Sequence, residues 1–268
     1  VGTAYSTSAE TQSQSGTMME CPDLFRLDGT DVIIACSMNI PKHRNGNGCV
    51  YFTGKLDYET GKLLRADNSA VREVDGGFDF YAPQTMLHPD GRRILIAWMH
   101  GFGKTIGSLL GYRYASSQTF PRELHVENGT LRQLPVREIE NYYRSAVVVK
   151  KLVNGDRLFV PELDGTCMNL SLEFAPSEGA GITVFADKNG KGLQIYYSDG
   201  KVYLNRRDVY SSDYPESALI ASVPAPLVNG KIKIRALLDR ISAEVFVGDG
   251  QYAMTANVAT TEDHFRTA

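Results

Sequence analysis

Short runs of β-branched and aromatic residues, separated by tight-turn signals, recur along most of this chain. Asn-Gly and Asp-Gly pairs supply many of these signals, and examples are Asp28-Gly29, Asn128-Gly129, Asp199-Gly200, Asn229-Gly230 and Asp249-Gly250. Such pairs tolerate the positive φ angles of two-residue hairpin turns and therefore join antiparallel strands. No helical period of apolar residues is needed anywhere to explain the pattern. The sequence therefore predicts an all-β chain, built as a sandwich or a propeller.

The character of the strands changes about halfway along the chain. In the first half the run Ile94–Met99 is nearly all apolar, which is typical of an inner strand covered on both faces. In the second half apolar and polar residues alternate, as in Leu193–Tyr197, which is typical of the sheets of a β-sandwich. The charged stretch 137–145 between the halves predicts a linker. We therefore expect one domain over residues 1–136 and a second over 146–268.

Composition argues against several classes of partner and cofactor. The 268 residues carry a formal net charge of −3, so the charge favours neither nucleic acid nor an anionic membrane. Apolar runs such as Ala146–Val149 are far too short to span a bilayer. The four cysteines show no metal-ligand spacing, and we expect buried free thiols rather than disulfides. They are Cys21, Cys36, Cys49 and Cys167. The sequence indicates no metal and no other cofactor.

An acidic tetrapeptide, Glu20-Cys21-Pro22-Asp23, precedes the apolar run Val32–Ala35. Pro22 fixes its own φ and biases Cys21 toward an extended conformation, so Glu20 is expected in an extended segment. The apolar residues that flank the tetrapeptide reduce the hydration of the carboxyl group. This setting favours its protonated form and suits it to donate a proton near neutral pH. From these residues alone, an ordinary surface carboxylate is the simpler interpretation.

Further segments in a fixed order make the tetrapeptide part of a larger resemblance. It resembles the E-C-P-D motif of glycoside hydrolase family 32, the invertases, levanases, inulinases and sucrose-6-phosphate hydrolases. The other segments that resemble this family are Val50–Asp57, Gly77–Thr85, Asp90–Met99, Pro121–Leu124, Leu134–Ile139 and Leu238–Phe246. The resemblance implies an incomplete five-bladed β-propeller followed by a β-sandwich. It also implies a retaining β-fructosidase that hydrolyses sucrose, sucrose 6-phosphate or fructans.

The resemblance assigns to Glu20 the role of general acid and then general base. Retaining glycosidases pair such a group with a nucleophilic carboxylate about 5–5.5 Å away. In this family the nucleophile is the Asp of an N-D-P-N-G motif, and the Asp of an R-D-P motif holds the substrate hydroxyls. Neither motif occurs in this sequence. We therefore expect a C-terminal portion of an enzyme that is inactive alone, with a non-catalytic carbohydrate-binding or structural fragment as the alternative.

Four further residues are expected to contact the sugar, and they are Asp23, Asp79, Tyr81 and Trp98. Asp79 and Tyr81 share one strand face if their segment is extended, and a carboxylate beside a phenol suits sugar hydroxyls. The alternative is a Tyr–Asp pair that closes the propeller channel. Trp98, the single tryptophan, offers a ring to a sugar face, or packs in the core. Asp23 either binds substrate, tunes Glu20, or caps the local turn.

Several other charged residues have simpler structural interpretations. Arg122 and Glu123 are expected to form an Arg–Glu ion pair between the domains rather than to act in catalysis. Glu244 is expected to face solvent or to lie at an interface. His43 and Arg44 would suit a phosphorylated sugar, although a solvated loop is the simpler interpretation. Sucrose and sucrose 6-phosphate therefore stay equally open as substrates.

The first 17 residues are polar, without apolar alternation and without a signal peptide. We expect this segment to be poorly anchored, because it has little apolar surface to bury. A cytoplasmic location is favoured, while secretion stays open because the true N-terminus is expected to lie further upstream. The expected partner is a fructosyl-containing sugar. Missing leading blades would expose edge strands, so self-association through those edges is also expected.

Overall fold

The computed structural model describes residues 2–6, 9–40, 46–65, 71–99, 106–111, 113, 116–150, 159–210, 213, 215–260 and 266–267. These residues form four antiparallel sheets, two before residue 136 and two after residue 167. The α-helices among them are short, and they are α1 (Ala9–Ser15) and α2 (Ile106–Leu110). Within the described residues, no helix has the length and apolar character needed to cross a membrane.

The first two sheets are propeller-type blades of antiparallel strands. The first contains β1 (Met18–Leu27), β2 (Thr30–Met38), β3 (Asn47–Asp57), β4 (Lys62–Leu64) and β5 (Arg72–Glu73). Its order is β1-β2-β3-β4, with β5 paired to β3. The second contains β6 (Tyr81–Leu87), β7 (Arg93–Met99), β8 (Ser117–Gln118), β9 (Arg122–Glu127) and β10 (Thr130–Pro135). Its order is β10-β9-β7-β6, with β8 paired to β7.

The two blades share one apolar core. Val32 and Ile34 from β2 pack in the same buried cluster as Leu95 from β7 and Leu124 from β9. The Tyr51 hydroxyl in this core accepts a hydrogen bond from a backbone N–H of β10. This packing brings β1 alongside β6, and those two strands carry the candidate residues of the tetrapeptide and of the Tyr81 segment.

The other two sheets pack as a β-sandwich. One has the order β11-β16-β17-β18 and the other β12-β13-β14-β15. The strands are β11 (Met168–Phe174), β12 (Gly181–Val184), β13 (Leu193–Ser198), β14 (Lys201–Asn205), β15 (Ile220–Pro224), β16 (Ile232–Asp239), β17 (Ser242–Val247) and β18 (Tyr252–Asn257). Short 3₁₀ helices lie at Arg137–Tyr142, Pro161–Leu163, Arg207–Val209 and Glu216–Ala218. Apolar side chains from both sheets form a single core.

The prediction of an all-β chain, with propeller-type blades followed by a sandwich, is confirmed. The hairpin signals act as predicted, because their first residues adopt positive φ and a glycine with positive φ follows each. These first residues are Asp28, Asn128, Asp199, Asn229 and Asp249, with φ between 46° and 54°. Turn chemistry is local, and this is why the sequence alone locates these hairpins.

The N-terminal segment is anchored, so the expectation of a poorly anchored start is wrong for its described residues. The Tyr5 ring stacks on Phe52 of β3, with ring centroids 4.1 Å apart. The backbone N–H of Leu63 donates a 3.1 Å hydrogen bond to the carbonyl oxygen of Ala4. Ser15, at the end of α1, is fully buried. An aromatic stack and backbone hydrogen bonds therefore anchor a segment that has no apolar periodicity.

Arg122, on β9, joins the second blade to the sandwich and is fully buried. Its Nε and Nη2 atoms donate to Oε2 of Glu244 on β17, at 2.9 and 2.6 Å. Its Nη1 donates to Oδ2 of Asp75 at 2.9 Å. The rings of Phe80 and Phe246 lie 5.0 and 5.1 Å from the guanidinium carbon. The arginine thus balances buried carboxylates from both parts of the chain.

The Arg–Glu pair between the two parts is present, but its glutamate is not the expected one. Glu123, the sequence neighbour of Arg122, points away and lies 3.3 Å from Nη1 of Arg92. Glu244 is the partner and lies at the interface, with 1% of its surface exposed. Successive residues of a strand point to opposite sides of the sheet. Arg122 and Glu123 therefore cannot form an ion pair with each other, and each contacts a different residue.

Candidate active site

The tetrapeptide forms a β-bulge in β1. Glu20 lies opposite Cys36 of β2, and the ladder then slips by one residue before Asp23. Cys21, inside the bulge, has φ of 46°, which is uncommon for a residue with a side chain. The extended conformation that Pro22 predicts for Cys21 is therefore wrong. Proline lacks an N–H, so a bulge is a position where it removes no ladder hydrogen bond.

A second bulge of the same kind lies in β6. Tyr81 is opposite Trp98 of β7, and the ladder slips by one residue before Gln84. Ala82, which precedes Pro83, also has φ of 46°. Sparsely populated backbone conformations of this kind cost free energy and are found most often at functional sites. Two adjacent strands are thus kinked at matching X-Pro positions, and the residue just before each kink is a candidate site residue.

Glu20 and Tyr81 meet between the two blades. The Tyr81 hydroxyl donates a 2.9 Å hydrogen bond to Oε2 of Glu20. Burial raises the pKa of Tyr81 well above its ordinary value, and the hydrogen bond to Glu20 raises it further. The phenol therefore stays protonated and remains a donor at any working pH. Glu20 itself is half-buried, so the pair fixes one carboxylate oxygen while the group keeps contact with solvent.

Asp23 fastens β1 to β6. Its Oδ2 accepts hydrogen bonds from the backbone N–H and the hydroxyl of Thr85, at 3.0 and 2.5 Å. Arg93 approaches Oδ1 at 3.7 Å and stacks over Phe25 at 4.4 Å. The same arginine donates to the Thr85 hydroxyl at 2.8 Å. Asp23 therefore follows Glu20 by three residues, and its carboxylate holds two strands together.

Trp98 lies across the ladder from Tyr81 and is not a core residue. It is 38% exposed, and its indole N–H donates a 2.5 Å hydrogen bond to the hydroxyl of Ser116. The ring is thus fixed beside the Glu20–Tyr81 pair with part of its surface open. A partly exposed, fixed aromatic ring is suited to packing against the apolar face of a sugar.

Asp79 is not brought to this group. Its segment is not extended, since β6 begins only at Tyr81, so the condition for a shared strand face is not met. Asp79 is fully buried. Its Oδ2 accepts hydrogen bonds from Nη1 of Arg206 and from the backbone N–H of Asn257, at 2.5 and 2.6 Å. The carboxylate therefore contacts the sandwich, beside the interface that Arg122 forms.

A pair of thiols begins directly opposite Glu20 and continues to the next strand. Cys36 is opposite Glu20 on one side and opposite Cys49 of β3 on the other. Cys36 and Cys49 are buried, as expected, whereas Cys21 and Cys167 are exposed, and all four are free. The prediction of burial is thus wrong for Cys21 and Cys167. The bulge turns Cys21 outward, so that Cys36, not Cys21, lies beneath the carboxylate.

Sequence reasoning missed the residues that support the candidate site. Thr85 and Arg93 lie inside segments that carried the family resemblance, but their contacts with Asp23 depend on the pairing of two blades. Ser116 has no motif, and only the structure places it at Trp98. His43 and Arg44 lie outside the described residues, so the discrimination of a sugar phosphate stays a prediction.

Solved structures of known proteins show the same fold. The chain superposes on sucrose-6-phosphate hydrolase from Lactobacillus gasseri with a TM-score of 0.81 and 20% identity, over 93% of this chain and 51% of that one. It superposes on exo-inulinase from Aspergillus awamori with a TM-score of 0.80 and 22% identity, over 95% of this chain and 54% of that one. At these identities the likeness establishes the arrangement of blades and sandwich.

Sequence comparisons establish the family. Sucrose-6-phosphate hydrolase of Staphylococcus xylosus is 30% identical over 92% of this chain and 50% of its own length. Raffinose invertase of Escherichia coli is 30% identical over 92% of this chain and 51% of its own length. The chain thus spans about half the length of these curated relatives. The model of the glycosyl hydrolases family 32 N-terminal domain matches residues 3–135, and that of the family 32 C-terminal part matches residues 136–267. The chain therefore belongs to glycoside hydrolase family 32.

Proposed function

We propose that this chain is part of a retaining β-fructosidase in which Glu20 is the general acid and base. Glu20 protonates the oxygen of the leaving sugar in the first step and activates water in the second. The observation that carries this proposal is the 2.9 Å hydrogen bond from Tyr81 to Glu20 at two matching bulges. The relatives named sucrose-6-phosphate hydrolase and raffinose invertase support a fructosyl-containing sugar as the substrate class. Sucrose, sucrose 6-phosphate and fructans all stay open within it.

Of the residues around Glu20, one contacts the sugar and the others hold the site in position. Tyr81 orients the carboxyl group, because its protonated hydroxyl holds one oxygen and directs the other toward solvent. Trp98 packs its exposed ring against the sugar. Asp23 positions Glu20 by tying β1 to Thr85 of β6. For Asp79, whose carboxylate is bound by Arg206, we propose support of the Tyr81 segment in place of the expected sugar contact.

Retaining hydrolysis also needs a nucleophilic carboxylate about 5–5.5 Å from the acid. Asp23 is bound by Thr85 and Asp79 by Arg206, so neither is available to attack a sugar carbon. The N-D-P-N-G motif that supplies the nucleophile in this family does not occur in the sequence. We therefore propose that turnover requires residues beyond this chain. We further propose that residues 1–136 and 146–268 are separate domains joined by 137–145.

The isolated chain is expected to show no turnover of sucrose, inulin or levan, and to bind fructose no more tightly than about millimolar. Each neutral hydrogen bond to a sugar contributes only about 0.5–1.5 kcal/mol, and the two charged acceptors of the family motifs are missing. A reducing-sugar assay and calorimetry with fructose measure both quantities. Turnover that survives repurification and disappears in Glu20→Gln would contradict the requirement for a further carboxylate.

The same measurements separate the enzyme from the alternative of a carbohydrate-binding fragment. Binding much tighter than millimolar without turnover would favour that fragment. Self-association also stays a prediction. Its support is the exposed apolar surface on the edge strands β1 and β6, where Leu24, Met86 and Leu87 are 47%, 55% and 68% exposed.

A further inference from the structure

Three side chains form a row across the first blade. Glu20 of β1 is directly opposite Cys36 of β2, and Cys36 is directly opposite Cys49 of β3. Residues opposite each other in antiparallel strands point to the same face of the sheet. The sulfur atoms of Cys36 and Cys49 are 3.4 Å apart. The row therefore contains a buried pair of thiols, and one member of the pair, Cys36, is the direct cross-strand neighbour of Glu20.

The Cys36 sulfur also holds the second bulge. The backbone N–H of Ala82 donates a 3.0 Å hydrogen bond to Cys36 Sγ. Ala82 is the positive-φ residue that follows Tyr81. One sulfur atom thus connects the thiol pair to the bulge in β6.

The backbone geometry suits a disulfide between Cys36 and Cys49. Directly opposite residues of antiparallel strands have Cα atoms about 4.5–5.5 Å apart. Disulfides span Cα separations of about 4.4–6.8 Å. The two sulfur atoms need to approach by roughly 1.4 Å to reach a bonded distance of about 2.05 Å. Small side-chain rotations supply such a change without moving either strand.

The two thiols are electrostatically unequal. The hydrogen bond from the Cys49 thiol lowers the pKa of Cys36, and the Ala82 N–H acts in the same direction. Burial raises the pKa of Cys49 well above its ordinary value. The thiolate is the reactive form of cysteine. Cys36 is therefore the sulfur that an oxidant modifies first, and Cys49 is the thiol that then forms the disulfide with it.

We propose that Cys36 and Cys49 are a modification site at which hydrogen peroxide, a two-electron oxidant, forms a disulfide that dithiothreitol reverses. The Cys36 thiolate attacks one peroxide oxygen, the O–O bond breaks, and the departing hydroxide takes up a proton to become water. The sulfur of Cys49 then attacks the sulfenic acid of Cys36. The S–O bond breaks, the oxygen leaves as water with the Cys49 proton, and the S–S bond forms. Two thiols are oxidised and one peroxide is reduced to two waters.

The disulfide changes the neighbouring bulge. Movement of the Cys36 sulfur toward Cys49 weakens its hydrogen bond with Ala82, which helps to fix Tyr81 against Glu20. Trp98 lies opposite Tyr81 and is the single tryptophan, so its fluorescence reports this change directly. Any effect on hydrolysis rests on the proposed function, whereas the disulfide and the fluorescence change do not.

The test is mass analysis of the whole chain after peroxide treatment and alkylation of the remaining thiols. Trypsin separates the three thiols of this region, because they lie in Val1–Arg26, Leu27–Lys42 and Asn45–Lys55. The expected product is Leu27–Lys42 joined to Asn45–Lys55, about 2 Da lighter than the two free peptides, since forming the bond removes two hydrogens. Dithiothreitol should reverse both the link and the shift of the Trp98 emission maximum.

Matched variants assign the bond. Cys21→Ser should keep the linked peptide and the fluorescence shift, while Cys36→Ser and Cys49→Ser should lose both. Cys49→Ala repeats the test if the buried serine impairs folding. Recovery of Cys36 and Cys49 as alkylated peptides from peroxide-treated wild-type chain would overturn the proposal. A link between Cys21 and Cys36 would also overturn it. Linked peptides without a Trp98 shift would overturn the connection to the bulge.

Discussion

Replacing Arg122 with methionine is expected to lower the free energy of unfolding by about 3–5 kcal/mol, because buried carboxylates lose their cation. The Arg122 and Asp75 side chains are 0% exposed and that of Glu244 is 1% exposed. Methionine matches much of the volume of arginine but offers no donor and no charge. Urea denaturation, followed by Trp98 fluorescence and circular dichroism, measures the change.

The size of this effect follows from the number of partners that Arg122 satisfies. Besides the two carboxylates, its guanidinium donates to Oε1 of Gln133 and to the hydroxyl of Thr255, at 2.7 and 2.6 Å. Those groups stay buried when the arginine is removed, so each loses a hydrogen bond without gaining water. The contacts span β9, β10, β17 and β18, and the loss should destabilise the blades and the sandwich together.

An exposed ion pair provides the matched control. Arg207 pairs with Glu216 at 2.8 Å, with 52% and 74% of their side chains exposed. Arg207→Met should change stability by no more than about 0.5 kcal/mol, because water replaces the lost contact. Adding Glu244→Gln to Arg122→Met should restore part of the lost stability by removing an unpaired charge. Equal effects of Arg122→Met and Arg207→Met would contradict the role of the buried network.

Features of this fold that depend on residues close together in the sequence could be predicted from the sequence. Asn128-Gly129 and Asp199-Gly200 form hairpins because positive φ is a property of the turn residues themselves. The apolar run of β7 is explained by burial on both faces of the strand. The alternation in β13 is explained by burial of one face. Glu20 and Tyr81 were also named as site residues, although their roles came from the family resemblance and stay predictions.

Features that depend on distant pairing could not be predicted. Arg122 is paired with Glu244, more than a hundred positions along the chain, so its neighbour Glu123 was the only glutamate that the sequence suggested. The alternation rule predicts Asp79 beside Tyr81, but this rule holds only in an extended strand. The carboxylate of Asp79 instead accepts a hydrogen bond from the buried Arg206. The register shifts at Cys21 and Ala82 cannot be recognised from the pattern of apolar residues. They nevertheless determine how Glu20 and Tyr81 are oriented.

Glu20→Gln is expected to reduce sucrose hydrolysis by about 10²–10⁴-fold in any longer protein that contains this sequence and the N-D-P-N-G motif. Glutamine has no proton to donate, so the leaving sugar departs without assistance. It keeps the size of glutamate and its carbonyl oxygen still accepts the hydrogen bond from Tyr81. The expected loss therefore lies in kcat, with substrate binding largely retained. Steady-state kinetics with sucrose separates the two.

An exposed glutamate in the turn between β3 and β4 provides the control for this substitution. Glu59 is exposed, and Glu59→Gln should leave both kcat and KM within about twofold of wild type, as expected of a surface change. If both variants hydrolysed sucrose at the wild-type rate, Glu20 would not be the acid. If Glu20→Gln instead raised KM with kcat unchanged, the residue would bind substrate without transferring a proton.

The most direct test of Glu20 as acid and base is the dependence of the Glu20→Gln defect on the leaving group. A nitrophenyl fructofuranoside needs little proton donation to lose its nitrophenolate, whereas sucrose must release a protonated glucose oxygen. We expect the variant to release a burst of nitrophenolate at close to the wild-type rate and then to turn over slowly, because the attacking water still lacks its base. Sucrose should show the full loss of about 10²–10⁴-fold. Equal losses for both substrates, without a burst, would contradict the role of Glu20 as acid and base.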